Sequence, residues 1–159
     1  MIYNNILEAV GHTPMVRLNR MVEEDSAQVL VKFEAVNVGG SIKTRTALNM
    51  IEEAERKGLI KEDTIIVEPT SGNQGIGLAL VGAVKGYRTI IMPDSVSEER
   101  RKLVRHYGAD VKLIHDAGDI GACIDECLKT ALRMQEKDPR VFVPQQFANE
   151  DNTMAHKNH

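Results

Sequence analysis

The sequence predicts an α/β protein built on an open, mostly parallel sheet with helices on both faces. Three observations carry that expectation: short branched apolar runs, stretches of helical spacing between them, and a repeated strand-then-helix order along 159 residues. Residues 29–33, 64–67, 89–92 and 111–114 read as buried strands, because each run is apolar, short and bounded by breakers. Behind Ser41, a good N-cap, Ile42, Ala47, Leu48, Ile51 and Ala54 recur at helical spacing, and Gly58 supplies a stop, so a helix is expected over 42–57. A second helix is expected to begin near 73–75 and run to 85. A third follows Ser97, where Glu98 and Glu99 suit the positive end of the helix dipole, and Gly108 ends it. A fourth carries Ile120, Ile124, Cys127, Leu128 and Ala131 on one face and stops before Pro139.

Composition narrows the function classes. With 42% hydrophobic and 27% charged residues, the chain reads as one soluble globular domain and not as a disordered segment. Its 20 Lys and Arg are interspersed with 23 Asp and Glu, which leaves no one-sided basic face for nucleic acid. The absence of Trp and the scarcity of aromatics argue against base stacking as well. The longest nearly apolar run, 76–84, is too short to cross a bilayer, and no cationic, apolar leader opens the sequence, so a cytoplasmic location is expected. Cys123 and Cys127 fall on one face of the fourth helix, where core packing explains them better than a disulfide or a two-thiol metal site. His106, His115, His156 and His159 form no metal-binding spacing, and no metal is expected.

Two segments could carry chemistry. In residues 37–43, two glycines and a capping serine precede Lys43 in the first turn of a helix. The positive helix end disfavours an ammonium there, and glycine backbone admits a bulky aldehyde, which suits an imine-forming amine; a plain surface lysine is the competing reading. Residues 68–77 join a strand to a helix through Glu68, Pro69, Thr70, Ser71, Gly72, Asn73 and Gln74. Hydroxyls, amides and a helix N-terminus there could bind a carboxylate or phosphate, and a tight turn capping the helix is the alternative. Neither a dinucleotide fingerprint nor a lysine-bearing P-loop is present.

In order along the chain, residues 11–18 (Gly-His-Thr-Pro-Met-Val-Arg-Leu), 40–43 (Gly-Ser-Ile-Lys), 70–73 (Thr-Ser-Gly-Asn), 97–101, 107–111 and 145–149 together resemble the cysteine synthase family. That family lies in the wider pyridoxal 5'-phosphate (PLP) group that includes cystathionine β-synthase and the serine and threonine dehydratases. The resemblance implies that Lys43 carries the cofactor as an imine and shuttles the α-proton, and that Asn73 bonds the cofactor's phenolic oxygen. It implies that Thr70, Ser71, Gly72, Gln74 and Gln146 hold the carboxylate of an amino-acid substrate. It implies β-replacement on an activated serine, giving cysteine or a related β-substituted alanine; dehydratase-like β-elimination is a neighbouring outcome. It also implies a homodimer in a full-length form.

By the same resemblance, residues 36–145 correspond to a small mobile α/β domain. Residues 1–35 belong to a larger domain, and 146–159 begin the return to it. The family's glycine- and threonine-rich loop for the cofactor phosphate is not found in this sequence, so a fragment, a truncated product or half of a split enzyme is expected. A catalytically silent domain that keeps the fold and needs a missing C-terminal part is the alternative to an active enzyme. The sequence departs from the family pattern at Val38, where proline is usual, at Thr44, where an acid is usual, and at Gln74, where threonine is usual.

Overall fold

The structure, a computed structural model, describes residues 2–92, 97–114 and 120–158. Its centre is a sheet of four parallel strands: β3 (Ile65–Glu68), β4 (Arg88–Ile91), β5 (Asp110–Val111) and β6 (Val141–Phe142). Their spatial order is β5-β4-β3-β6. Ile65 lies opposite Arg88 on one side and Val141 on the other, so β3 is interior and receives its second neighbour from far along the chain. Five α-helices are present among the described residues: α1 (Lys43–Arg56), α2 (Asn73–Lys85), α3 (Glu98–His106), α4 (Ile120–Lys137) and α5 (Glu150–Asn158). None is long and apolar enough to cross a membrane.

Alternation along the strands divides the interior into two cores. Ile66 and Ile91 pack with Leu48 and Ile51 of α1, Leu78 and Val81 of α2, and Val104 of α3. Ile65, Val67, Ile90 and Met92 point the other way, onto Ala131 of α4 and onto Val141 and Val143. Helices therefore flank both faces, as the sequence predicts. Gly86, at φ +85°, ends α2 by turning its N–H back to the Gly82 carbonyl at 2.8 Å. α5 lies against α1, where Asn49 Nδ2 donates to the Asp151 carbonyl at 2.7 Å and Lys57 pairs with Asp151 at 2.6 Å.

Several expectations are corrected. The run 29–33 is not a buried strand of the parallel sheet: its core, β2 (Leu30–Lys32), pairs antiparallel with β1 (Met15–Arg17), and both strands are exposed. Branched apolar residues satisfied their backbone in a two-stranded ribbon that no described helix covers, so β-propensity was realised without burial. The strand expected at 111–114 contracts to β5, beginning one residue earlier. α1 begins at Lys43, with helical Ile42 flanking it, and Ser41 contributes from one position further back by accepting the Lys43 N–H at 3.3 Å. β1, β6 and α5 were not anticipated. β6 spans two residues between Pro139 and Pro144, too short for a period to show, and α5 buries only Ala155.

Candidate active site

The turn that delivers Lys43 is built from the N-terminal segment. Arg45, almost fully buried, donates through Nε to Glu34 Oε2 at 3.0 Å and through Nη2 to Glu34 Oε1 and the Gly11 carbonyl, both at 2.7 Å. Thr13 Oγ1 donates to the same Glu34 carboxylate at 2.7 Å. The Arg45 hydrogen bonds, opposed by burial and helped by Thr13, hold the Glu34 carboxyl below its ordinary range. Asn37 links this pair to the turn: Nδ2 donates to Glu34 Oε2 at 3.0 Å and to the Ser41 carbonyl at 3.2 Å. Its Oδ1 accepts the N–H groups of Gly11 at 3.0 Å and Val38 at 2.9 Å. All four hydrogen-bonding sites of one buried amide are used, which fixes the backbone leading into Lys43.

Lys43 is half-buried, and its Nζ has no hydrogen-bond partner among the described residues. The second segment reaches it because α2 approaches α1 at Gly77. A Cβ there would lie 3.0 Å from both the Lys43 carbonyl oxygen and the Ala47 Cβ, so only glycine allows this spacing without displacement. One turn earlier, Gln74 is buried, and Thr46 Oγ1 lies 2.7 Å from Gln74 Oε1 and 2.9 Å from the Lys43 carbonyl oxygen. A hydroxyl has one proton. It therefore donates to one of these two oxygens at a time, and with Oε1 on Thr46 the Gln74 amide keeps its NH2 group available to another acceptor. In the present orientation Gln74 Nε2 is buried without a partner, as is Thr44 Oγ1.

Thr70, Ser71 and Gly72 form the half-buried loop into α2, and Asn73, exposed, is the first residue of that helix. The loop starts where the Thr70 N–H donates to the Met92 carbonyl at 3.2 Å, and it turns as the Gly72 N–H reaches Thr70 Oγ1 at 3.3 Å. This leaves hydroxyls and an amide at the positive end of a helix, a receptor for an anion. Gln146 is buried on the far side of Glu68, the residue that ends β3 and precedes the loop. Glu68 Oε1 accepts the Gln146 N–H at 3.2 Å, and Oε2 accepts the Gln145 N–H at 3.0 Å. Burial pushes the Glu68 carboxyl up to about 7, against the opposing pull of those two N–H groups and of the Gln146 side-chain amide.

Lys43, Gln74 and the Thr70–Asn73 loop are thus joined through Thr46 and Gly77, and Gln146 is joined to the base of the loop through Glu68. Glu34, Arg45 and Thr46 lie outside the two segments singled out from the sequence, and Asn37 and Glu68 fall inside them without an assigned role. Glu68 carried a usable signal, a lone acid closing an apolar strand immediately before a polar loop. An unbonded, half-buried amine at the start of α1, an anion receptor at the start of the adjoining α2, and two buried polar atoms on these helices left unpaired, Thr44 Oγ1 and Gln74 Nε2, fit the aldehyde end of a PLP group and the carboxylate of an amino acid.

A family model described as pyridoxal-phosphate dependent enzyme matches residues 6–158. A cysteine synthase from Flavobacterium sp. is 47% identical over 158 residues, covering 98% of this chain and 50% of that protein. A solved hydrogen sulfide-producing enzyme from Fusobacterium nucleatum superposes with a TM-score of 0.86 at 41% identity, over 98% of this chain and 50% of the other. A structure of O-ureido-L-serine synthase gives a TM-score of 0.83 at 41% identity, over 99% and 48%. The chain spans about half the length of the relatives it matches.

Proposed function

Because the chain belongs to the pyridoxal-phosphate dependent enzyme family, we propose that its residues serve β-replacement on an activated serine, giving cysteine or a related β-substituted alanine. The observation that carries this reading is the unbonded Lys43 amine at the start of α1, whose backbone is packed at Gly77 against α2, the helix that the Thr70–Gln74 segment opens. PLP, when bound, supplies the electron sink for cleavage at Cα and Cβ. Lys43 would hold the cofactor and move the α-proton at Nζ. Asn73 would donate to the ring oxygen. Thr70, Ser71, Gly72 and Gln74 would grip the substrate carboxylate at the α2 N-terminus, and Gln146 would close the site from the β6 side. The names of the relatives, cysteine synthase and O-ureido-L-serine synthase, favour replacement over elimination.

In the same proposal, residues 36–145 form a small mobile domain, and 1–35 and 146–159 belong to a larger one that also supplies homodimer contacts. The exposed β1–β2 ribbon, with Met15, Val16, Leu30 and Val31 all substantially solvent-accessible, supports that division.

The test is reduction with borohydride after adding PLP, with visible absorbance and peptide mass as readouts. Fixation on Lys43, absent in Lys43→Ala, is the expected result. No specific adduct would mean that this chain does not hold the cofactor by itself, and would favour a silent domain that requires further sequence.

A further inference from the structure

Glu68 reaches out of the end of β3 and grips the chain 77 positions later, with one carboxylate oxygen on the Gln145 N–H and the other on the Gln146 N–H. Gln145 sits at φ +54°, the sole non-glycine with positive φ among the described residues. Two successive N–H groups converging at a left-handed residue form a small anion receptor, and here the anion is internal. The turn is braced further along: Asn149 Nδ2 donates to the Pro144 carbonyl at 3.0 Å, and Asn152 Nδ2 to the Gln146 carbonyl at 2.6 Å. Glu68 is about 1% exposed, so solvent does not compete for its oxygens. The next residue after it in sequence, Pro69, opens the candidate carboxylate loop.

We propose that Glu68 is a positioning residue, which clasps the Gln145–Gln146 turn so that Gln146 is presented to the same ligand carboxylate as the Thr70–Gln74 loop. The inference rests on reading that loop as a carboxylate receptor. Glu68 touches neither ligand nor cofactor in this role. Replacing it with glutamine keeps the volume but sets an NH2 group against an N–H, which breaks one clasp bond and frees a strained backbone to relax.

The experiment follows backbone and side-chain amides of the 15N-labelled chain by NMR while L-serine is added, with 2-aminoethanol as the probe lacking a carboxylate. In the wild-type chain the amides of residues 71–74 and the Gln146 side chain should shift together with L-serine and not with 2-aminoethanol. In Glu68→Gln the 71–74 shifts should persist, the Gln146 response should vanish, and the Kd for L-serine should weaken roughly tenfold, the scale of one charge-assisted hydrogen bond. Adding Gln145→Gly, which adopts positive φ freely, should recover part of that loss. Unchanged Gln146 response and Kd in Glu68→Gln would overturn the proposal. So would loss of the 71–74 response without recovery in the double variant, the signature of a purely structural acid. If Glu68→Gln does not fold, hydrogen exchange of the wild-type chain decides: protection of the Gln145 and Gln146 amides equal to that of β3 supports the clasp, and free exchange overturns it. A wild-type chain that ignores L-serine everywhere would sink the carboxylate reading itself, and the clasp's role with it.

Discussion

Glu68 and Gly77 show how much a single residue sets here. The Glu68 carboxyl, raised by burial to about 7 from an ordinary 4.5, holds its proton more tightly folded than unfolded. Between those values the folded chain binds more protons, so stability falls as pH rises from about 4.5 to about 7 and levels off above. The loss is on the order of 3 kcal/mol. Denaturant unfolding at a series of pH values should show a downward slope that is smaller in Glu68→Gln; equal slopes would mean that the group titrates normally. Gly77→Ala places a methyl 3.0 Å from the Lys43 carbonyl oxygen, and backbone cannot yield as a side-chain tip would. It should lower stability by about 1–3 kcal/mol, read as a drop in Tm, and a chain with unchanged Tm would show that α1 and α2 are not in contact there. Legibility at this scale was uneven. Lys43 and the polar loop were visible as motifs, whereas Glu68 and Arg45 matter through partners 77 and 11 positions away, which no local pattern records. Two of the departures from family pattern, Thr44 and Gln74, do coincide with the buried polar atoms left unpaired beside the lysine.

Between elements, the decisive contact is that of the N-terminal segment with the start of α1. Arg45 and Glu34 are an ion pair with side chains 4% and 17% exposed, and Asn37 extends it to the Ser41 carbonyl. Removing one member of a buried pair leaves the other charge uncompensated. Arg45→Met should therefore cost about 3–5 kcal/mol in chemical denaturation, and a loss below about 1 kcal/mol would place the pair among solvent-screened ones. Helices α1, α2 and α4 were legible because each has an apolar face against the sheet, and α3 because acids and a stop frame it. α5 was not, since its attachment to α1 is made by Asn49, Lys57 and Asp151, polar contacts that leave no hydrophobic period. β2 was recognised as extended and misplaced in depth, because alternation cannot distinguish a covered strand from one awaiting cover.

At the scale of the molecule, a two-sided core stands beside an uncovered ribbon. Met15, Val16, Leu30 and Val31 present apolar surface on two antiparallel strands, with exposed Phe33 just beyond, an arrangement that soluble monomers usually shield. The purified chain should associate with increasing concentration, and Val16→Lys with Leu30→Lys should return it toward monomer in sedimentation velocity. Concentration-independent monomer in the parent chain would count against an adhesive ribbon. The sheet order carries a separate consequence. β3, second from one edge, waits for β6, which is made last of the four, and the Glu68 oxygens wait for a partner 77 positions on. At a synthesis rate of about 5–20 residues/s, the nascent chain leaves one side of β3 bare for roughly 4–15 s. Emergence of β6 from the ribosome, and not the formation of the first helices, therefore sets the moment at which the sheet can close, and synonymous codons that slow translation between β5 and β6 lengthen the period in which a foreign strand can take that seat.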